Sequence, residues 1–279
     1  MRLWLSVLFL LFVTSAQADG AKQFGVFGVV ERLSPLTVNG QEIVIPDEVP
    51  IISLLGQGQK IGLGDTLALR VTLKDDVLTA VRVLEVYPVI GPISGVEGGT
   101  ATVMGSPVYL PPDASVRRGQ WVAVSGFWSG EKVITTRLQK LSGGWFGHLT
   151  GVVDPTEMRL GGSELRNVEP PTNGFGNSIW MLSGGPQTGG LDVRLMAKGV
   201  FGGAVEMALW QGHASLPIAS QTYLIYGSGI IGTAQDAQMP VGGSLIRRCA
   251  QNGRVLKTAP EGLEDAFGAL GCAIDTQAE

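Results

Sequence analysis

Polar and apolar residues alternate along much of the chain with the period of two that marks half-buried strands. From Leu78 to Val86, Thr79, Val81, Val83 and Glu85 point one way, and Ala80, Arg82, Leu84 and Val86 the other. An alternating stretch launched at Leu63-Gly64-Asp65-Thr66-Leu67-Ala68-Leu69 precedes it, and Lys74-Asp75-Asp76 supplies the turn between them. The same plan recurs about 55 residues on. Arg118-Gly119-Gln120-Trp121-Val122-Ala123-Val124 opens the strand, Ser129-Gly130-Glu131-Lys132 turns it, and Val133 to Leu141 returns. Each is a β-hairpin.

A second hairpin precedes each of these, and its opening repeats four times. Gly28-Val29-Val30 runs to Val38-Asn39-Gly40, and Gly95-Val96 to Val103-Met104-Gly105. Gly151-Val152-Val153 runs to Gly161-Gly162-Ser163-Glu164, and Gly229-Ile230-Ile231 to Gly242-Gly243-Ser244-Leu245. The shared Gly-Gly-Ser makes the last two the strongest internal match. Four or five short strands in some 60 residues suit a small closed barrel. The chain is therefore expected to be all-β: three small tandem OB-like barrels at 24–90, 91–146 and 147–226, then a partial fourth at 227–279. The third is stretched by Thr172 to Gly190, whose Gly, Asn and Pro read as a slack connection or a binding loop. One short helix is expected from Pro260. Leu263, Phe267 and Leu270 share a face, Gly271 ends it, and it would cover an open barrel end.

The recurring Gly-x-Val, Val-x-Gly-x-x-Ile/Val and Leu/Arg-Gly-x-x-Leu/Val-x-Val pattern resembles a family of small repeated β-domains of unknown function in exported bacterial proteins. It is more distantly similar to bacterial periplasmic OB-fold proteins. The resemblance covers the first two units, part of the third and the start of the fourth. It implies tandem barrels in the periplasm and carries over no catalytic residue.

The first residues change the compartment. Met1-Arg2 precedes the apolar run Leu3 to Val13, and Ala16-Gln17-Ala18 offers a small-x-small cleavage site, so residues 1–18 read as a signal peptide cleaved after Ala18. An eleven-residue run is too short to span a bilayer, and no later stretch approaches eighteen, so no membrane embedding is expected. In an oxidising compartment Cys249 and Cys272 read as a disulfide, worth about 3 kcal/mol on the chain-entropy model; free thiols, a metal site or a redox pair are the alternatives, though neither lies in a Cys-x-x-Cys.

Composition narrows the chemistry. With 41 Gly in 279 residues, 16% charged side chains, net charge −4 and pI about 5.3, the chain lacks the basic footprint of a nucleic-acid binder. Gly227-Ser228-Gly229-Ile230-Ile231-Gly232 matches the dinucleotide fingerprint in letters, but Pro240, Gly242 and Gly243 follow where that site needs a helix. No cofactor or metal is expected. The candidate bases, His148 and His213, read as junction or strand-end residues, and no nucleophile elbow is present. The carboxylate pairs Asp47-Glu48, Asp75-Asp76 and Glu264-Asp265 fall on turns and a helix's polar face. Arg117-Arg118 and Arg247-Arg248 make a weak field on an acidic chain. The aromatics stand out: Phe127-Trp128 beside a hairpin tip and Trp145-Phe146 between two units are the candidate ligand-binding residues, as exposed aromatic faces that stack sugars or peptides. The competing reading has Trp145-Phe146 packing one barrel on the next and Phe127-Trp128 plugging a barrel mouth.

These observations point to a non-catalytic periplasmic binding or scaffolding protein with a protein or peptide partner, engaged by strand addition at an open barrel edge. An oligosaccharide-binding module using Phe127, Trp128, Trp145 and Phe146 is the first alternative. A hydrolase with carboxylates in a groove between repeats is the second.

Overall fold

The structure, a computed structural model, describes residues 21–144, 146–218, 221–234 and 239–272. The signal-peptide span therefore lies outside the described residues. The described residues are mostly β, with one short helix among them toward the C-terminus.

The first strands are β1 (Gln23–Leu33), β2 (Leu36–Val38), β3 (Gln41–Val44), β4 (Ile51–Ile52), β5 (Thr66–Lys74) and β6 (Val77–Glu85). β1 pairs antiparallel with β2 and β5, β2 with β3, and β6 with β5, while β3 runs parallel to β6. The ladder returns to its start, closing a five-strand barrel around Val26, Val38, Leu67, Leu69 and Val71. The expected turn is present, with Lys74 opposite Val77. The strict alternation of β6 is not. The register slips between Arg70 and Val71, leaving Val81 as an extra residue; Leu78 and Ala80 face inward before it and Val83 after it. A bulge of this kind bends the strand so that the barrel can close.

The same order of pairings recurs three times. It joins β7 (Val89–Glu97), β8 (Thr100–Val103), β9 (Ser106–Tyr109), β10 (Trp121–Ser129) and β11 (Lys132–Leu141) into a second circuit. The third contains β12 (Gly147–Val152), β13 (Arg159–Leu160), β14 (Ser163–Arg166), β15 (Ile179–Gln187) and β16 (Gly190–Lys198), with the Asp154–Arg159 bridge completing it. β17 (Ala208–His213), β18 (Thr222–Ile225), β19 (Ile230–Thr233), β20 (Leu245–Gln251) and β21 (Arg254–Val255) form the fourth, completed by the Ala214–Ile225 bridge.

Three expectations need correction. The fourth opening hairpin does not run from Gly229 to Leu245: β19 pairs with β18 and β21, and β20 with β17 and β21. The two Gly-Gly-Ser segments thus occupy different places, one turning β13 into β14 and the other leading into β20. Strands on both sides of Tyr226 share one circuit, so the fourth set of strands is complete and begins at Ala208. Thr172 to Gly190 is not all loop either, since β15 occupies half of it and Gln187 to Gly190 is a hairpin turn.

The circuits are joined to one another. β1 runs parallel to β17 with Val26 opposite Leu209, and β7 runs antiparallel to β12 with Val89 opposite Leu149. The helix α1 (Glu264–Ala269) is shorter than the span expected from Pro260. Leu263, Ala266, Phe267 and Leu270 do share a buried face, and they pack into the core of the first barrel with Phe24, Val38 and Leu69. Cys249 on β20 is disulfide-bonded to Cys272 just past the helix, with the Cα atoms 5.5 Å apart. The bond ties the helix to the fourth set of strands while its apolar face covers the first.

Candidate functional site

The four aromatic candidates do not converge. Trp145 lies outside the described residues. Phe146 borders a groove of mixed polar and apolar lining with Leu54, Gln139 and Lys140. Phe127 is buried where the first, second and fourth units meet, its ring 6.1 Å from Phe27 and 6.3 Å from His213.

Trp128 leaves the second unit and enters the third and fourth. Its indole Nε1 donates to the Thr150 carbonyl at 2.7 Å. Gly151, Gly161 and Gly227 surround the ring, and a Cβ at Gly161 or Gly227 would overlap it. Both glycines also have positive φ, 58° and 72°, so the backbone there suits no other residue well. One edge of the indole reaches a cleft of about 490 Å³ between these units, which Tyr226, Asp154, Glu157 and Arg159 also line.

A second cavity, of about 250 Å³, lies between the first and third units. His148 on β12 sits in its wall, almost fully buried, with Nδ1 2.8 Å from Ser183 Oγ and Nε2 2.7 Å from Thr150 Oγ1. A neutral imidazole satisfies both hydroxyls, donating to one and accepting from the other. Burial pushes its pKa down to about 3. His148 and Ser183 thus have the separation of a base and a nucleophile, but a group so weakly basic is poorly matched to proton abstraction near neutral pH. Tyr87 lines the same cavity, fully buried, and desolvation holds its hydroxyl well above the usual tyrosine range. The outer wall is apolar: Ile52, Leu54, Met181, Leu195 and Met196.

The remaining polar candidates make contacts within and between units or lie at the surface. His213 Nδ1 donates to the Gly243 carbonyl at 2.9 Å. Arg247 pairs with Glu31 on β1, and Gln211 Oε1 accepts from the Val29 amide at 2.9 Å. Asp47, Glu48, Asp75, Asp76, Glu264 and Asp265 are exposed, as are Arg117 and Arg118. After Gly229 the glycine-rich segment enters strand β19 rather than a helix.

Asp65, read from sequence only as the polar residue that launches a strand, has a larger role. Its carboxylate is completely buried. Oδ2 accepts from the Gly62 amide at 2.6 Å and from Arg137 Nη1 of the second unit at 2.5 Å. Beside it, Thr66 Oγ1 accepts from the Gly126 amide at 2.8 Å. Asp65→Ala is expected to lower stability by about 3 kcal/mol, the low end for breaking a buried pair, because Arg137 is 35% exposed and keeps some water. Chemical denaturation measures this loss. Adding Arg137→Leu should recover part of it by removing the uncompensated charge, and a purely additive double variant would refute the pairing's importance.

Among the described residues no group of three His, Cys, Asp or Glu side chains could hold a metal ion, and no helix is long and apolar enough to cross a membrane. The chain matches no protein-family model, no curated protein and no solved structure.

Proposed function

We propose that this is an exported, non-catalytic binding or scaffolding protein of the bacterial periplasm, built of tandem OB-like units and acting on a protein or peptide partner. The observation that carries the reading is the use made of its reactive side chains. His148, His213, Asp65 and Arg247 are spent on contacts within and between units. Exposed apolar side chains such as Leu54, Leu195 and Met196 meanwhile border one groove. Apolar surface rimmed by polar residues is the mark of an interaction site.

A second reading, oligosaccharide binding, draws support from the cleft beside Trp128, where Tyr226 and the carboxylates of Asp154 and Glu157 face one space. Native mass spectrometry of the protein purified gently from its own compartment separates the two. A species heavier by a whole polypeptide is the expected result. A small-mass adduct would transfer the assignment to the glycan cleft, and a bare monomer would overturn both. The same spectrum reports cleavage after Ala18.

A further inference from the structure

The repetition of one strand order allows an edge in one unit to be compared with its counterparts. In the first unit the register of the β5–β6 hairpin slips between Arg70 and Val71, and in the third that of β15–β16 slips between Ser183 and Gly184. Aligned on this slip, Val83-Leu84 of β6 corresponds to Met196-Ala197 of β16. The chain treats the two differently. Val83 and Leu84 are covered by β4, which runs parallel with Ile51 opposite Val83 and Ile52 opposite Leu84. In the second unit the slip between Ser125 and Gly126 places Leu138-Gln139 there. The first unit closes over that stretch through Asp65 on Arg137, the Gly64 carbonyl on Thr136 and Glu85 on Gln139. In the third unit, among the described residues, β15 alone pairs with Leu195 to Lys198, and Arg194 is the extra residue at the slip. All five residues are exposed, Leu195 by 72% and Met196 by 42%.

An uncovered strand edge with apolar side chains is a template for another strand. Resting on the protein-partner reading above, we infer that the outer edge of β16 binds an extended peptide segment of the partner, with two adjacent apolar residues and an acidic residue close by. β4 shows what such an edge accepts: its Ile-Ile pair lies along the equivalent positions of β6. The groove supplies a second apolar wall, since Ile52 and Leu54 line the same cavity as Leu195 and Met196. Charge selects against a second copy of this chain. Two β16 edges paired antiparallel about Met196 would set Arg194 opposite Lys198 twice, and like charges directly opposite destabilise a sheet pair. The same two cations favour an acidic residue on the incoming strand.

The test pans a phage-displayed random hexapeptide library against the intact protein. Enriched peptides are expected to carry an adjacent apolar pair with Asp or Glu near it, and to slow hydrogen exchange at residues 194–198. Met196→Asp and Leu195→Lys, both at exposed positions, should each weaken a selected peptide at least tenfold. Val241→Asp, at an apolar residue 79% exposed in the fourth unit, should leave it unchanged. No enrichment, protection elsewhere, equal binding to the β16 variants, or dimerisation through this edge would overturn the inference. A polypeptide still bound to Met196→Asp in native mass spectrometry would refute this edge alone and leave the broader function standing. Absence of any polypeptide from the wild type would refute that function first.

Discussion

Alanine in place of Trp128 should lower the free energy of unfolding by about 3–5 kcal/mol, the range for emptying a buried aromatic site. The ring is an apolar connection from the second unit into the third and fourth, and its environment cannot easily collapse. Gly151, Gly161 and Gly227 offer no side chains to swing into the void, and the Thr150 carbonyl loses the indole donor. Guanidinium denaturation should show a lower midpoint at unchanged slope. Gly161→Ala approaches the same contact from the other side, pushing a methyl group into the ring. Combined with Trp128→Ala it should cost much less than it does alone, because the clash has gone. Additive losses would show that the ring and the glycine are not a unit. Trp128→Phe separates packing from ligand binding: it keeps most of the ring's volume, so a fold retained with glycan binding lost would favour the cleft as a sugar site.

Acid should weaken the protein through His148 by a comparable amount. With a folded pKa of about 3 and an ordinary value near 6.5, the unfolded chain takes up a proton over a range in which the folded one does not. Stability from this residue is fully present above pH 6.5 and is lost as pH falls toward 3, at about 1.4 kcal/mol per pH unit. Carboxylates titrate in the lower part of that window, so the informative quantity is the difference between wild type and His148→Gln. That difference should be flat above pH 6.5 and slope between pH 6.5 and 3. Parallel curves across the whole range would mean that the imidazole takes up its proton over the same range in the folded and unfolded states.

The parts of the fold legible in the sequence are those where one strand face meets a core and the other meets water. The hairpins turning at Asp75-Asp76 and Gly130-Glu131 are read correctly from alternation and turn residues. Strands that lie between units are harder. Leu209 and Trp210 on β17, like Leu149 and Thr150 on β12, are buried whichever way they point, because a neighbouring unit covers the second face. No period of two survives there, and the first strand of the fourth circuit passes unnoticed. The Gly-Gly-Ser match misleads for a related reason. Glycine is used here both to turn a hairpin and to admit a neighbour, as where Gly105 and Gly162 bring two backbones together, and spacing does not distinguish these uses. For the site, the sequence draws attention to Trp128 and His148. It has no means of showing that Gly227 or Ser183 meets them, since those partners lie 99 and 35 positions away. The β16 edge carries no motif at all, because an unpaired edge is a property of what fails to lie beside it.

The helix that ends at Ala269 has a bearing on how the polypeptide acquires its structure. Phe267 and Leu270 complete a core begun by Phe24 and Val26, and β1 takes a strand neighbour from residues 208–210. The first barrel, whose last strand ends at Glu85, therefore lacks a lateral partner until the chain reaches Ala208 and part of its interior until it reaches Phe267 and Leu270. Contacts at such separation carry a large loop-closure cost, and folding governed by them is slow and cooperative. An N-terminal fragment ending near residue 90 is correspondingly expected to expose the apolar surface that the helix covers. The four units would then be acquired together as one transition, rather than one after another as the chain lengthens.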